Sequence, residues 1–179
     1  MAYHNVIMAG FGGQGVMLIG NLLAQAGMEE GLNATFIPVY GVEMRGGTAN
    51  CTVVVSSDPV GSPIIKRPLA TIIMNLPSLE KFQPRLHPDG VQIVNASLIE
   101  KSNLDPAKKT VFIPANDMAN ELGAPKLANM VALGAYIKAT GCLPIEAVER
   151  ALNHTISSHY AHLIPLNAKA LQAGYSFKG

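Results

Sequence analysis

A chain of 179 residues is long enough to bury one well-filled core. Charged residues make up 14% of it and hydrophobic ones 49%, where about 25% charged is usual for a soluble domain; the surface is therefore either suited to contact with another protein or ordinary, over a large apolar core in a free monomer. The formal net charge of +1 gives no footprint for nucleic acid or an anionic membrane, and no apolar run reaches the roughly 18 residues of a membrane span.

The opening MAYHNVIMAG lacks the charged n-region of a signal peptide. Cys51 and Cys142 form no CxxC pair, so the chain by itself offers no thiolate-held cluster and no disulfide framework. The cytoplasm is the expected compartment.

In chain order, HNVIMAG reads as a strand buried on both faces. It runs into GFGGQG, Gly10 to Gly15. From Gln14 to about Glu30 the pattern turns helical, with Leu18, Leu22 and Ala26 on one stripe, Ile19 and Leu23 beside it, and Gly31 as the stop. ATFIPVYG and TANCTVVVS are the next two strands, separated by the turn GVEMRGG. The Pro-rich stretch SSDPVGSPIIKRP leads to the buried strand LATIIMN, and GVQIVNAS and TVFIPAN are later strands. After Asn116 the chain is mostly helical: DMANELG, PKLANMVALGAYIKATG, LPIEAVERALNHT and LIPLNAKALQAGY. The expected architecture is a Rossmann-like three-layer α/β/α domain with a largely parallel sheet and a helical C-terminal portion, one domain over residues 1–179.

A strand, a glycine loop and a helix in succession suit an anion. Glycines allow close backbone approach, and the first turn of a helix leaves amide N–H groups without partners at the positive end of its dipole. The competing explanation is a tight turn that needs glycine for packing alone. The spacing Gly10-x-Gly12-x-x-Gly15 also fits dinucleotide enzymes, but the following strand ATFIPVYG carries no carboxylate for the ribose hydroxyls. A P-loop is excluded because no Lys-Ser or Lys-Thr follows the glycines. Arg45 is the first Lys or Arg in the chain, the next being Lys66. It sits beside Gly46 and Gly47, and its planar guanidinium suits a phosphate or carboxylate held over Gly12–Gly15, with Glu43 fixing its direction. The competing explanation is an exposed turn with a surface ion pair, but charge is rare in this part of the chain, which favours a ligand or subunit contact.

Taken together, GFGGQG, YGVEMRGGTANCTVVVSSDPVGSP, MNLPSLEKF and LANMVALGA resemble the gamma subunit of 2-oxoacid:ferredoxin oxidoreductases, pyruvate enzymes included, and most nearly the 2-oxoglutarate and branched-chain types. The resemblance runs in the same order over nearly the whole chain. It implies a subunit that is not catalytic alone, in a complex that turns a 2-oxoacid and coenzyme A into an acyl-CoA and carbon dioxide and passes electrons to ferredoxin. It further implies alpha, beta and in some cases delta partner chains, which hold thiamine diphosphate with magnesium and the iron–sulfur clusters. This chain would help to bind coenzyme A, with Gly10, Gly12, Gly13, Gln14, Gly15, Glu43, Arg45, Gly46 and Gly47 as the candidate residues. No catalytic residue or metal ligand is expected on it, and its apolar surface would let the isolated chain dimerise. The alternative is a free-standing nucleotide- or flavin-binding oxidoreductase domain; a third reading is an interaction module whose loop holds no ligand.

Other residues take structural expectations. His154, His159 and His162 cluster in NHTISSHYAHL with no matching third ligand or nearby carboxylate, which favours a polar face over a metal site. Cys51 alternates with Ala49, Val53 and Val55 as a small core residue. Asn75 and Asn95 end apolar strands, and Asn129, in an apolar helix, needs a buried hydrogen-bond partner.

Overall fold

The computed structural model describes residues 3–39 and 48–179. Among these, six strands form one sheet in the order β2-β3-β1-β4-β5-β6: β1 Tyr3–Phe11, β2 Asn33–Val39, β3 Thr48–Ser56, β4 Ala70–Ile73, β5 Val91–Asn95 and β6 Lys109–Ile113. β1, β4, β5 and β6 pair in parallel. β3 lies antiparallel between β1 and β2, so β2 runs in the direction of β1. The sheet is largely parallel, as expected, with an antiparallel flank.

The two faces separate by the period of two that a strand imposes. Val6 and Met8 of β1, with Cys51, Val53 and Val55 of β3, face one core shared with α1 Val16–Glu29, α3 Ala115–Glu121, α4 Ala128–Thr140, α5 Ile145–Thr155 and α6 Ile164–Tyr175. Ile7 and Ala9 of β1, Ile73 of β4 and Val94 of β5 face a smaller core under α2 Leu76–Phe82. Helices thus lie on both faces. The C-terminal helices concentrate on the α1 side because α4 is buried all round from Ala128 to Ile137, which needs neighbours on every side.

α4 and α6 meet through glycines. A methyl at Gly174 would stand 1.8 Å from the Val131 carbonyl oxygen, and one at Gly134 would stand 2.0 Å from that of Leu171. Small residues at both contact points let the two backbones touch.

α1 begins at Val16, later than the helical pattern suggests, because Gly15 is left-handed (φ 72). Gly31 (φ 76) closes its other end. The segment 158–163 holding two of the histidines is a short 3-10 helix. The turn GVEMRGG, with Glu43, Arg45, Gly46 and Gly47, lies outside the described residues.

Candidate functional site

The glycine loop opens at the carboxyl end of β1. α1 follows β1 onto one face and α2 follows the neighbouring strand β4 onto the other, so the chain reverses side between adjacent parallel strands. Such a point leaves a crevice at the strand ends, where open α/β sheets take ligands.

Gln14 builds the loop. Its backbone N–H donates to the Phe11 carbonyl at 3.1 Å. Its side-chain oxygen accepts from the Phe11 amide at 2.7 Å and from Asn75 Nδ2 at 3.5 Å, while its Nε2 donates to the Met74 carbonyl at 3.3 Å. One carboxamide therefore clamps the loop on itself and ties it to the end of β4. Gln14 holds geometry rather than pointing a free amide outward.

The four glycines stand in different circumstances. A methyl at Gly10 would meet Gln14 Oε1 at 2.6 Å and Met74 Cβ at 2.9 Å, so packing against the clamp requires glycine there. Gly13 (φ 93) and Gly15 (φ 72) take left-handed backbone that disfavours a side chain. Gly15 is also crossed by Asn129, whose Nδ2 donates to the Gly15 carbonyl at 3.1 Å and whose oxygen accepts from the Met130 amide at 2.9 Å. Gly12 has neither reason: its φ is not left-handed, and a methyl would find no described atom within 4 Å. The internal packing of the described residues does not demand glycine at position 12.

α1 starts without a side-chain cap and with no acid in its first turn. Its leading amides and the positive end of its dipole are left for an acceptor from outside the helix. The side chains that shape the loop, Gln14, Asn75 and Asn129, are carboxamides, which do not titrate.

Val39 and Thr48, which bound the segment carrying Glu43, Arg45, Gly46 and Gly47, lie at the same edge. Thr48 is opposite Phe11, and Val39 is opposite Asn50, itself opposite Ala9.

The remaining candidates make the following contacts. Asn75 caps α2 by accepting from the Ser78 amide at 2.9 Å. Asn95 donates to Asn116 Oδ1 at 2.7 Å and accepts from the Ser97 amide at 3.3 Å. Cys51 is fully buried with its thiol on the Val16 carbonyl at 3.4 Å, and burial pushes that thiol up to about 12. His154 does have a nearby carboxylate, which the spacing did not reveal: its Nδ1 lies 2.6 Å from Glu29 at the end of α1. His159 stacks edge-on with Tyr160. Among the described residues, no group of three His, Cys, Asp or Glu could hold a metal, and no helix is long and apolar enough to cross a membrane.

Comparison with known proteins gives the same chain-long correspondence. The sequence model of the pyruvate ferredoxin/flavodoxin oxidoreductase family matches residues 5–177. Ketoisovalerate oxidoreductase subunit VorA of Methanothermobacter marburgensis is 37% identical over 94% of this chain, which spans 35% of that protein's length. The gamma subunit of a keto/oxoacid ferredoxin oxidoreductase from Geobacter sulfurreducens superposes with a TM-score of 0.84 at 29% identity, over 98% of this chain and 95% of that one. A 2-oxoglutarate:ferredoxin oxidoreductase from Magnetococcus marinus, solved with 2-oxoglutarate, coenzyme A and succinyl-CoA bound, has the same fold (TM-score 0.87, 20% identity, 98% of this chain and 31% of that chain).

Proposed function

This chain belongs to the pyruvate ferredoxin/flavodoxin oxidoreductase family, and on that premise we propose that it is the gamma-type component of a cytoplasmic 2-oxoacid:ferredoxin oxidoreductase. Residues 1–179 form one domain of that assembly, and it contributes to binding coenzyme A. Partner chains of alpha and beta type, with a delta chain in some assemblies, carry thiamine diphosphate, magnesium and the iron–sulfur clusters and pass electrons to ferredoxin. In the ketoisovalerate relative, nearly three times as long, the matching region is part of a larger polypeptide, which supports a component that works beside further domains. The bound coenzyme A of the Magnetococcus marinus enzyme supports the choice of ligand.

The observation that carries the reading is Gly12. It is a glycine that packing among the described residues does not need, next to an uncapped helix start, in a loop already held rigid by Gln14. A phosphate of coenzyme A resting on the amides of Gly12, Gly13 and Gly15 and on α1 accounts for all three. Arg45, oriented by Glu43 and flanked by Gly46 and Gly47, supplies a guanidinium to the same anion. The fold prepares the loop, with Gly10 and Gln14 as its internal frame.

The test is Gly12→Ala in the assembled enzyme. The subunit should melt within a degree or two of wild type, roughly the effect of an unstrained surface change. The apparent KM for coenzyme A should rise about tenfold or more, as loss of a charge-assisted contact implies. Unchanged coenzyme A kinetics in a normally assembled mutant would remove the loop from the coenzyme site.

A further inference from the structure

A second cleft lies on the opposite face of the sheet from α1. It has a volume of about 280 Å³ and runs between the outward side of β1, β3 and β2, the end of α2, and residues 63–65 of the Pro-rich segment. Its floor alternates by register: Asn50 lies between Ala9 and Val39, and Thr52 between Ile7 and Ile37.

Asn50 is 7% exposed, lines the cleft, and its carboxamide makes no hydrogen bond among the described residues. Asparagine is disfavoured in strands, and its neighbours Ala9 and Val39 offer no side-chain partner, so its carboxamide is left to the cleft. Thr35, on the same face of β2, has a buried hydroxyl without a partner among the described residues.

Among the described residues, Lys81 and Arg85 line the cleft and no carboxylate does. Both cations lie 5.3 Å from the Phe82 ring centroid. Arg85 is committed to the wall, donating to the carbonyls of Ile65 at 3.0 Å and Lys66 at 3.3 Å, and so pins the Pro-rich segment over the sheet. Lys81 makes no salt bridge among the described residues and is free to meet an anion. Ile64, 74% exposed, marks an apolar mouth.

We propose that this cleft binds a small amphipathic anion, an aromatic or branched apolar group bearing a phosphate or carboxylate, at a site separate from the glycine loop. Asn50 and Thr52 hydrogen-bond it from the sheet, Lys81 takes its charge, and Ile7, Ile37 and Phe82 hold its apolar body. The volume is about nine times the roughly 30 Å³ share of one water, which suits a ligand of about a dozen heavy atoms.

Phenyl phosphate, which joins an aromatic ring to a dianion, is the probe. Titrated into the ¹⁵N-labelled full chain, it should shift the amides of Ile37, Asn50 and Thr52 and saturate in the low millimolar range or below, with phenol and inorganic phosphate each binding more weakly. Lys81→Ala and Asn50→Leu should each weaken it by about tenfold. Should Asn50→Leu fail to fold, Thr52→Val takes its place beside Lys81→Ala, whose residue is exposed. The proposal is overturned by an absence of saturation at about 20 mM, far weaker than useful recognition, by shifts confined to Gly12–Met17, or by affinity indifferent to Lys81→Ala and to the sheet variant.

Discussion

At the scale of single residues, burial decides which reactive groups are available. Cys51 has no exposed surface, and its thiol is pushed up to about 12 by desolvation, so almost none of it is thiolate at pH 8. Cys142 is also buried, with its thiol raised, first by desolvation. Iodoacetamide at pH 8 should therefore leave the native chain unlabelled and add two carbamidomethyl groups in urea, as read by intact mass. Rapid labelling of Cys51 in the native chain would contradict the packing of β3 against α1. Cys51 and Asn129 were legible in sequence, because alternation on a strand and a lone amide in an apolar helix each imply their surroundings. The glycines were legible only as a group. Nothing in GFGGQG separates Gly10, fixed by Gln14 and Met74, from Gly12, fixed by no described neighbour, since φ and third-dimension contacts do not show in the string. Asn50 was illegible for the same reason: its interest depends on Ala9 and Val39 standing beside it.

At the scale of elements, close helix contact reverses an ordinary preference. Alanine favours a helix over glycine by about 1 kcal/mol, yet a methyl at Gly174 would stand 1.8 Å from the Val131 carbonyl oxygen. Gly174→Ala should thus destabilise the chain by about 1–3 kcal/mol, as overpacking does, measured by urea unfolding; a gain in stability would mean that α4 and α6 do not touch there. The α1–α5 contact carries a pH signature. The Gln25 amide first, and then His154, hold Glu29 below its ordinary value of 4.5. A carboxylate depressed in the folded state stabilises above its unfolded value and loses that contribution as pH falls through the folded one. Melting curves of wild type and Glu29→Gln should differ slightly at pH 7, by under about 1 kcal/mol for an exposed pair, and converge as the pH falls below 4.5. Strands and long helices were readable from period, and TANCTVVVS matches β3 Thr48–Ser56 residue for residue. α2 escaped notice because seven residues opening on Leu-Pro hold too few turns to show a period. The insertion of β3 between β1 and β2 was hidden too, because pairing order is a property of the sheet and not of any strand.

At the scale of the whole molecule, the scarcity of charge and the apolar edge beside the glycine loop point the same way. Phe11 and Val39 are large apolar side chains left exposed at the edge where the glycine loop opens, and exposed apolar surface beside a binding edge suits closure by a partner chain. Coenzyme A would then be held between this chain and its neighbours, and Arg45, three positions before Thr48 in sequence, would meet it from the loop side. The isolated chain should accordingly bind coenzyme A more weakly than the assembled enzyme, and it should self-associate reversibly where partners are missing. Arg45→Ala in the assembly should weaken coenzyme A by about 1.5–3 kcal/mol, the range for hydrogen bonds to charged groups. Decarboxylation of the 2-oxoacid with an artificial electron acceptor precedes acyl transfer and should fall far less. Arg45→Lys should recover part of the loss, because the charge returns without the bidentate geometry. Steady-state kinetics with coenzyme A varied, beside the acceptor assay without it, separate the effects. An equal fall in both assays would assign Arg45 to subunit contact, and an unchanged coenzyme A KM would place it away from the anion, leaving the amides of Gly12, Gly13 and Gly15 to hold the phosphate without it.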